Sequence, residues 1–143
     1  MFNELFKAWK KEEENIELQN LAQDFYLNAN RYINDLREKI KREQDYIRLE
    51  LTKEEYNYAV KILSKLIDAR LKKIINSIIE GKKVPLELLA EEEKEAFSLL
   101  NKIVDLIIEF KEKLFKGKVE EKKGFTVIRL LQELPEIIGE DLK

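Results

Sequence analysis

Residues 52–80, TKEEYNYAVKILSKLIDARLKKIINSIIE, constrain the fold more than any other stretch of this chain. At about 100° per residue, Tyr56, Ala59, Val60, Leu63, Leu66, Ile67, Leu71, Ile74 and Ile78 fall on one broad arc, facing away from Lys61, Ser64, Lys65, Asp68, Lys72 and Asn76. Ile62 and Ala69 widen that arc to roughly half the circumference, more than a helix needs to lie on one neighbour. Such a helix is expected to have neighbours on two sides, one from this chain and one from a partner. Thr52 and Glu55 read as a capping box at its start, and Gly81 supplies the residue that tolerates a left-handed conformation at its end. Arg70 sits within the apolar arc, where an unpaired guanidinium would cost several kcal/mol, so it is expected to pair with a carboxylate at or near a helix–helix seam.

The 143 residues suffice for one domain with its own core, or for one domain and a fragment of another. Cysteine and histidine are both absent, which removes disulfides, zinc fingers and histidine-based acid–base catalysis. Lys and Glu dominate a charged fraction of 39%, a balance resembling that of hyperthermophile proteins with charged surface networks. The source is accordingly expected to be a thermophilic archaeon or bacterium. With 27 basic and 29 acidic residues the net charge is −2, which gives no global field for holding DNA or an anionic membrane. No apolar run approaches the roughly 20 residues of a membrane span, and the N-terminus lacks the order of a signal peptide. A soluble, cytoplasmic protein is expected.

Phe2, Leu5, Phe6 and Trp9 have helical spacing and predict a short amphipathic helix over residues 2–14 that docks by large side chains. A second helix is predicted to start at Asp24 and to run toward Glu50, with a stripe of Phe25, Ala29, Tyr32, Ile33, Leu36, Ile40 and Ile47. Its distal end, past KREQD, is expected to project or fray, and a tight connection at residues 50–52 would make an αα-hairpin with the next helix. Val84-Pro85 stops that helix, and a short turn over residues 86–89 leads to a last helix over 91–116. Glu91, Glu92 and Glu93 open it, Lys113 and Lys116 close it, and Phe97, Leu99, Leu100, Ile103, Val104, Leu106, Ile107, Phe110 and Leu114 again cover about half the circumference. The Gly-bounded segment GKVEEKKG then reads as a charged linker, FTVIRLL as a β strand and QELPEIIGEDLK as a loop. The resulting expectation is a mainly α chain: an antiparallel bundle of about four helices over residues 1–116, a linker over 117–124, and an incomplete small β domain over 125–143.

The order of these parts carries a resemblance. An aromatic first helix is followed by Leu21, Asp24, Phe25 and Tyr26 at the entry to the second, by Arg70, Lys73 and Ile74 late in the third, and by a fourth helix opened by EEE. After the charged linker, Val127, Arg129, Leu131, Pro135, Glu136, Ile137 and Gly139 form the pattern V-x-R-x-L-x-x-x-P-E-I-x-G. In this order the chain resembles the archaeal GINS family, specifically the subunit class with the helical domain first and the small β domain last. The resemblance implies a non-catalytic scaffold with no cofactor, assembled with a second GINS subunit class of permuted domain order into a 2:2 heterotetramer. It further implies bridging of the MCM helicase and a RecJ-like protein at the replication fork, with primase as an additional partner. The family's β domain continues for several strands where this sequence stops at Lys143, so contacts made through a complete β domain are not carried over.

The residues themselves point the same way on catalysis. There is no glycine-rich phosphate loop and no nucleophile motif, and the carboxylate groups at Glu12 to Glu14 and Glu91 to Glu93 read as solvated helix ends. The wide apolar arcs nominate Tyr56, Leu63, Ile67, Arg70, Ile74, Phe97, Ile103, Ile107 and Phe110 as a partner interface, and Val127, Arg129, Leu131, Pro135 and Ile137 as the strand and loop of the β domain. Two other readings stand beside the scaffold. One is weak nucleic-acid contact through Lys72 with Lys73, Lys82 with Lys83, and residues 116–123, none of which has interleaved aromatics. The other is a generic helical oligomerisation or adaptor protein, against which Val84-Pro85 and the linker break any sustained heptad.

Overall fold

The computed structural model describes residues 1–116. They form four helices, α1 (Phe2–Glu14), α2 (Phe25–Arg42), α3 (Tyr46–Ile79) and α4 (Glu91–Phe115), with a single 3₁₀ turn at Leu86–Leu88. No strand occurs among the described residues, and the predicted linker, strand and loop over 117–143 lie outside them. The chain divides into two compact units, Met1–Phe97 and Ser98–Lys143, and the division falls inside α4.

In the first unit α1 and α2 both pack on α3. The α2–α3 pair is antiparallel, as the Tyr32 hydroxyl donating to Glu55 at 2.6 Å and Arg37 donating to the Tyr56 hydroxyl at 3.2 Å fix its register. That register sets Ala29 and Ala59, both fully buried, at the same level of the hairpin, where small side chains allow close approach. The other pair is parallel: Phe2 meets Tyr58 with ring centroids 5.8 Å apart, and further along Glu12 meets Arg70 at 2.8 Å. Consecutive helices of this unit thus run antiparallel, and α1 and α3, the first and third, are parallel to each other as an up-down-up arrangement requires. Leu5, Phe25, Ile33, Leu36, Ala59, Ile62 and Leu66 make the shared core.

Much of the wide arc of α3 is thus covered from within the chain on two sides, by α1 and by α2, while Val60, Ile67 and Leu71 stay exposed. Toward its end Ile74 and Ile78 are buried as well, beside a cleft lined by Ile16, Leu18, Val84, Pro85 and Leu88.

The start of α3 differs from the sequence reading for a local reason. Asp45 takes the N-cap position, its carboxylate accepting from the Arg48 backbone N–H at 3.2 Å. Thr52 lies inside the helix, where its hydroxyl donates to the Arg48 carbonyl at 2.8 Å, and Glu55 accepts from Tyr32. The predicted capping box is therefore not formed, and what was read as the frayed end of the second helix is the first two turns of α3. The chain reverses at residues 43–45. At the other end the expectation holds: Gly81 has φ 75°, its N–H donates to the Ile78 carbonyl at 3.1 Å, and the Lys82 N–H donates to the Ser77 carbonyl at 2.8 Å. These two bonds make a Schellman closure. Asp24 precedes α2 in a left-handed conformation, φ 58°, without a side-chain cap bond.

Asp45→Ala is expected to lower unfolding stability by about 1 kcal/mol, and Thr52→Ala to stay within about 0.5 kcal/mol of the parent. Chemical denaturation of the two variants measures this, and the opposite ranking would restore the cap at Thr52.

Candidate functional site

Arg70 is fully buried, and so is Glu12. Neither could remain charged in that position alone, and the chain solves this by converging four segments on the guanidinium. The Arg70 Nε–H donates to Glu93 Oε2 at 2.8 Å, and one terminal nitrogen donates to Glu93 Oε1 at 2.9 Å, a bidentate fork. That same nitrogen donates to the Leu88 carbonyl at 2.8 Å. The second terminal nitrogen donates to Glu12 Oε1 at 2.8 Å and to the Gln19 carbonyl at 2.6 Å. All five guanidinium N–H donors are used.

The carboxylates are equally committed. Glu12 Oε2 accepts from the Lys73 ammonium at 2.6 Å and from the Gln19 backbone N–H at 3.1 Å. Lys73 also donates to the carbonyls of Glu12 and Glu17, which accounts for its three donors. Glu93 accepts from the Tyr26 hydroxyl at 2.8 Å and from the Ala90 backbone N–H at 2.8 Å. The last of these is the return half of a capping box, since Glu93 lies three residues beyond Ala90 at the start of α4. No buried side-chain nitrogen or oxygen among the described residues lacks a partner.

Two carboxylates and two cations leave the cluster neutral. Burial opposes the charge on Glu93, but the hydrogen bonds and charge of Arg70, with the Ala90 N–H and the Tyr26 hydroxyl, outweigh it and hold the carboxyl below its ordinary value. Burial likewise opposes the charge on Arg70, and the bonds and charge of Glu93 raise its pKa nonetheless. The Tyr26 phenol is pushed far up, first by burial and then by the neighbouring Glu93 charge. With its hydrogen bonds filled, the cluster has the chemistry of a structural joint. Among the described residues no group of acidic side chains is placed to hold a metal ion.

Sequence reading located Arg70 and its need for a carboxylate, but took Glu12 and Glu93 for solvated helix ends. That assignment is corrected, because Glu12 is 0% exposed and the Glu93 side chain is 14% exposed. For Glu12 a signal was present: it lies seven residues after Leu5 and so shares the buried face of α1.

The residues nominated as a partner interface are distributed more widely than the sequence implied. Arg70 and Ile74 are buried inside the first unit and offer no surface. Tyr56 and Leu63 are half-buried against the core, whereas Ile67 is exposed, as are Val60 and Leu71 on the same face of α3. Phe97, Ile103, Ile107 and Phe110 are half-buried along α4, in which no residue is buried. Val127, Arg129, Leu131, Pro135 and Ile137 lie outside the described residues. No family model matches the chain, and no curated protein or solved structure matches it.

Removing the guanidinium leaves two buried carboxylates facing one lysine, so Arg70→Ala is expected to cost about 3–5 kcal/mol in urea denaturation. Arg70→Lys should recover only part of this, since an ammonium cannot fork onto Glu93 and reach Glu12 and Leu88 together. The pH dependence follows from the depressed Glu93. A carboxyl lowered in the folded state stabilises fully above its unfolded value near 4.5, and the contribution is lost as pH falls through the folded value. Glu93→Gln should therefore be less stable at neutral pH and show a shallower loss of stability below pH 4.5; an unchanged acid limb would contradict the assignment.

Proposed function

We propose that this chain is a non-catalytic scaffold subunit of the GINS type, which joins a second GINS subunit class in a 2:2 heterotetramer and bridges the MCM helicase and a RecJ-like protein, with primase as a further partner. The observation that carries the reading is α4. Its apolar arc spans about half of the helix circumference, yet none of its 25 residues is buried, and Leu99, Ile108, Leu114 and Phe115 are exposed outright. A helix of that character gains most of its stabilisation by burial against another chain. The order of parts that resembles the GINS family supplies the identity of that chain. The reading locates the protein in the cytoplasm, at the replisome. It accords with a chain in which no described helix is long and apolar enough to cross a membrane. A generic helical adaptor would use the same arc without partner selectivity.

Light scattering of the chain alone and co-expressed with a GINS subunit of the permuted class tests both readings. A four-chain complex of two of each is expected. Ile107→Glu combined with Phe110→Glu should weaken it at least about a hundredfold while leaving the circular dichroism of the chain unchanged. A chain that stays monomeric alone and with that partner would overturn the scaffold reading, and self-association without capture would favour the generic adaptor.

A further inference from the structure

The lysine clusters visible in the sequence lack aromatic neighbours, but the fold builds one that has them. Trp9 on α1 is half-buried, with the Lys10 ammonium 4.9 Å from its ring centroid and the Lys65 ammonium of α3 at 5.4 Å. Lys10 also lies 5.9 Å from the Phe6 ring, and Phe6 packs edge-on against Trp9 at 5.6 Å. The parallel register of α1 and α3 brings Lys61, one turn before Lys65 on the same face of α3 and exposed, level with the Phe6 turn. Glu13, Glu14 and Asp68, each about one turn further along its helix than Trp9, Lys10 and Lys65, bound the patch toward the end of α1.

We infer that the Trp9, Phe6, Lys10, Lys65 and Lys61 patch is a binding surface for a short single-stranded oligonucleotide. Aromatic faces and ammonium groups within one small surface are the two components by which single strands are held without sequence preference: bases stack on the ring and lysines take the phosphates. An ammonium above a half-exposed ring is held by only a few kcal/mol at most and can be exchanged for a base, and the displaced lysine then stands beside the backbone of that nucleotide. An acidic peptide would use the lysines and leave the indole face without a role, which is why a nucleic acid is favoured. The net charge of −2 does not oppose this, because screening at physiological salt confines each charge to its own neighbourhood. The patch is separate from α4 and does not rest on the association reading.

Trp9 is the only tryptophan in the chain, so its fluorescence reports on this surface alone. The protein is titrated with oligomers of dT and of U, each about 15 nucleotides, with inorganic polyphosphate and polyglutamate as anions that lack bases, and binding of labelled oligomer is followed in parallel by anisotropy. Saturable quenching by one or both oligomers is expected, with log K falling against log salt at a slope of about −1 to −2, as for two or three phosphate contacts. The oligomer giving the tighter curve identifies DNA or RNA as the strand. The double variant K10A/K65A, which changes only surface side chains, should keep its helix content and thermal midpoint and lose at least about tenfold in affinity by anisotropy. K10R/K65R should restore it. Absence of saturable quenching overturns the inference, as do equal quenching by polyphosphate or polyglutamate and unchanged affinity in K10A/K65A.

Discussion

A guanidinium with no access to water organises the first compact unit. Arg70 lies on the apolar arc of α3, and its charge is tolerated only because five donors meet five acceptor positions. Those acceptors come from α1, from the segment after it, from the 3₁₀ turn and from the first turn of α4. Hydrophobic burial is tolerant of small displacements, whereas a bidentate fork and two carbonyl acceptors are not. The apolar core draws α1 and α2 onto α3, and the ion cluster fixes how far along α3 they and the 86–93 segment must sit.

The cluster also explains why irregular backbone can be kept beside a buried face. Residues 15–24 and 80–90 contain no α-helix, yet their carbonyls at Glu17, Gln19 and Leu88 each accept a charged donor. Loops of that kind would otherwise leave polar backbone unsatisfied near the core. The same economy appears at Glu93, which closes the N-terminus of α4, receives the Tyr26 hydroxyl and neutralises Arg70 with one carboxylate. Neutral overall and fully bonded, the cluster holds elements in register and leaves reactivity to other parts of the surface.

Those other parts are of two kinds. Along α4 an apolar arc is half-buried to exposed, with no buried residue. Around Trp9 the surface is mixed, with ring faces and ammonium groups from two helices held within cation–π distance. The first is the surface on which the proposed association rests; the second is a feature of the folded unit alone.

Helix existence and most helix ends were legible in the sequence, because amphipathic periodicity and Gly81, Pro85 and the EEE run act locally. The start of α3 was misread for an equally local reason: Asp45 and Thr52 both offer a capping oxygen, and only the packing of the hairpin decides which is used. The sequence by itself determined that Arg70 must find a carboxylate, since a charge on an apolar face has no other stable outcome. It did not determine which one. Glu12 and Glu93 are separated from Arg70 by 58 and 23 positions, and although the spacing from Leu5 puts Glu12 on the buried face of α1, nothing local ties either carboxylate to Arg70. The packing of α1 on α3, the pairing of Glu12 with Arg70 and the meeting of Trp9 with Lys65 were decided only by tertiary structure, because each depends on contacts between segments far apart in the chain.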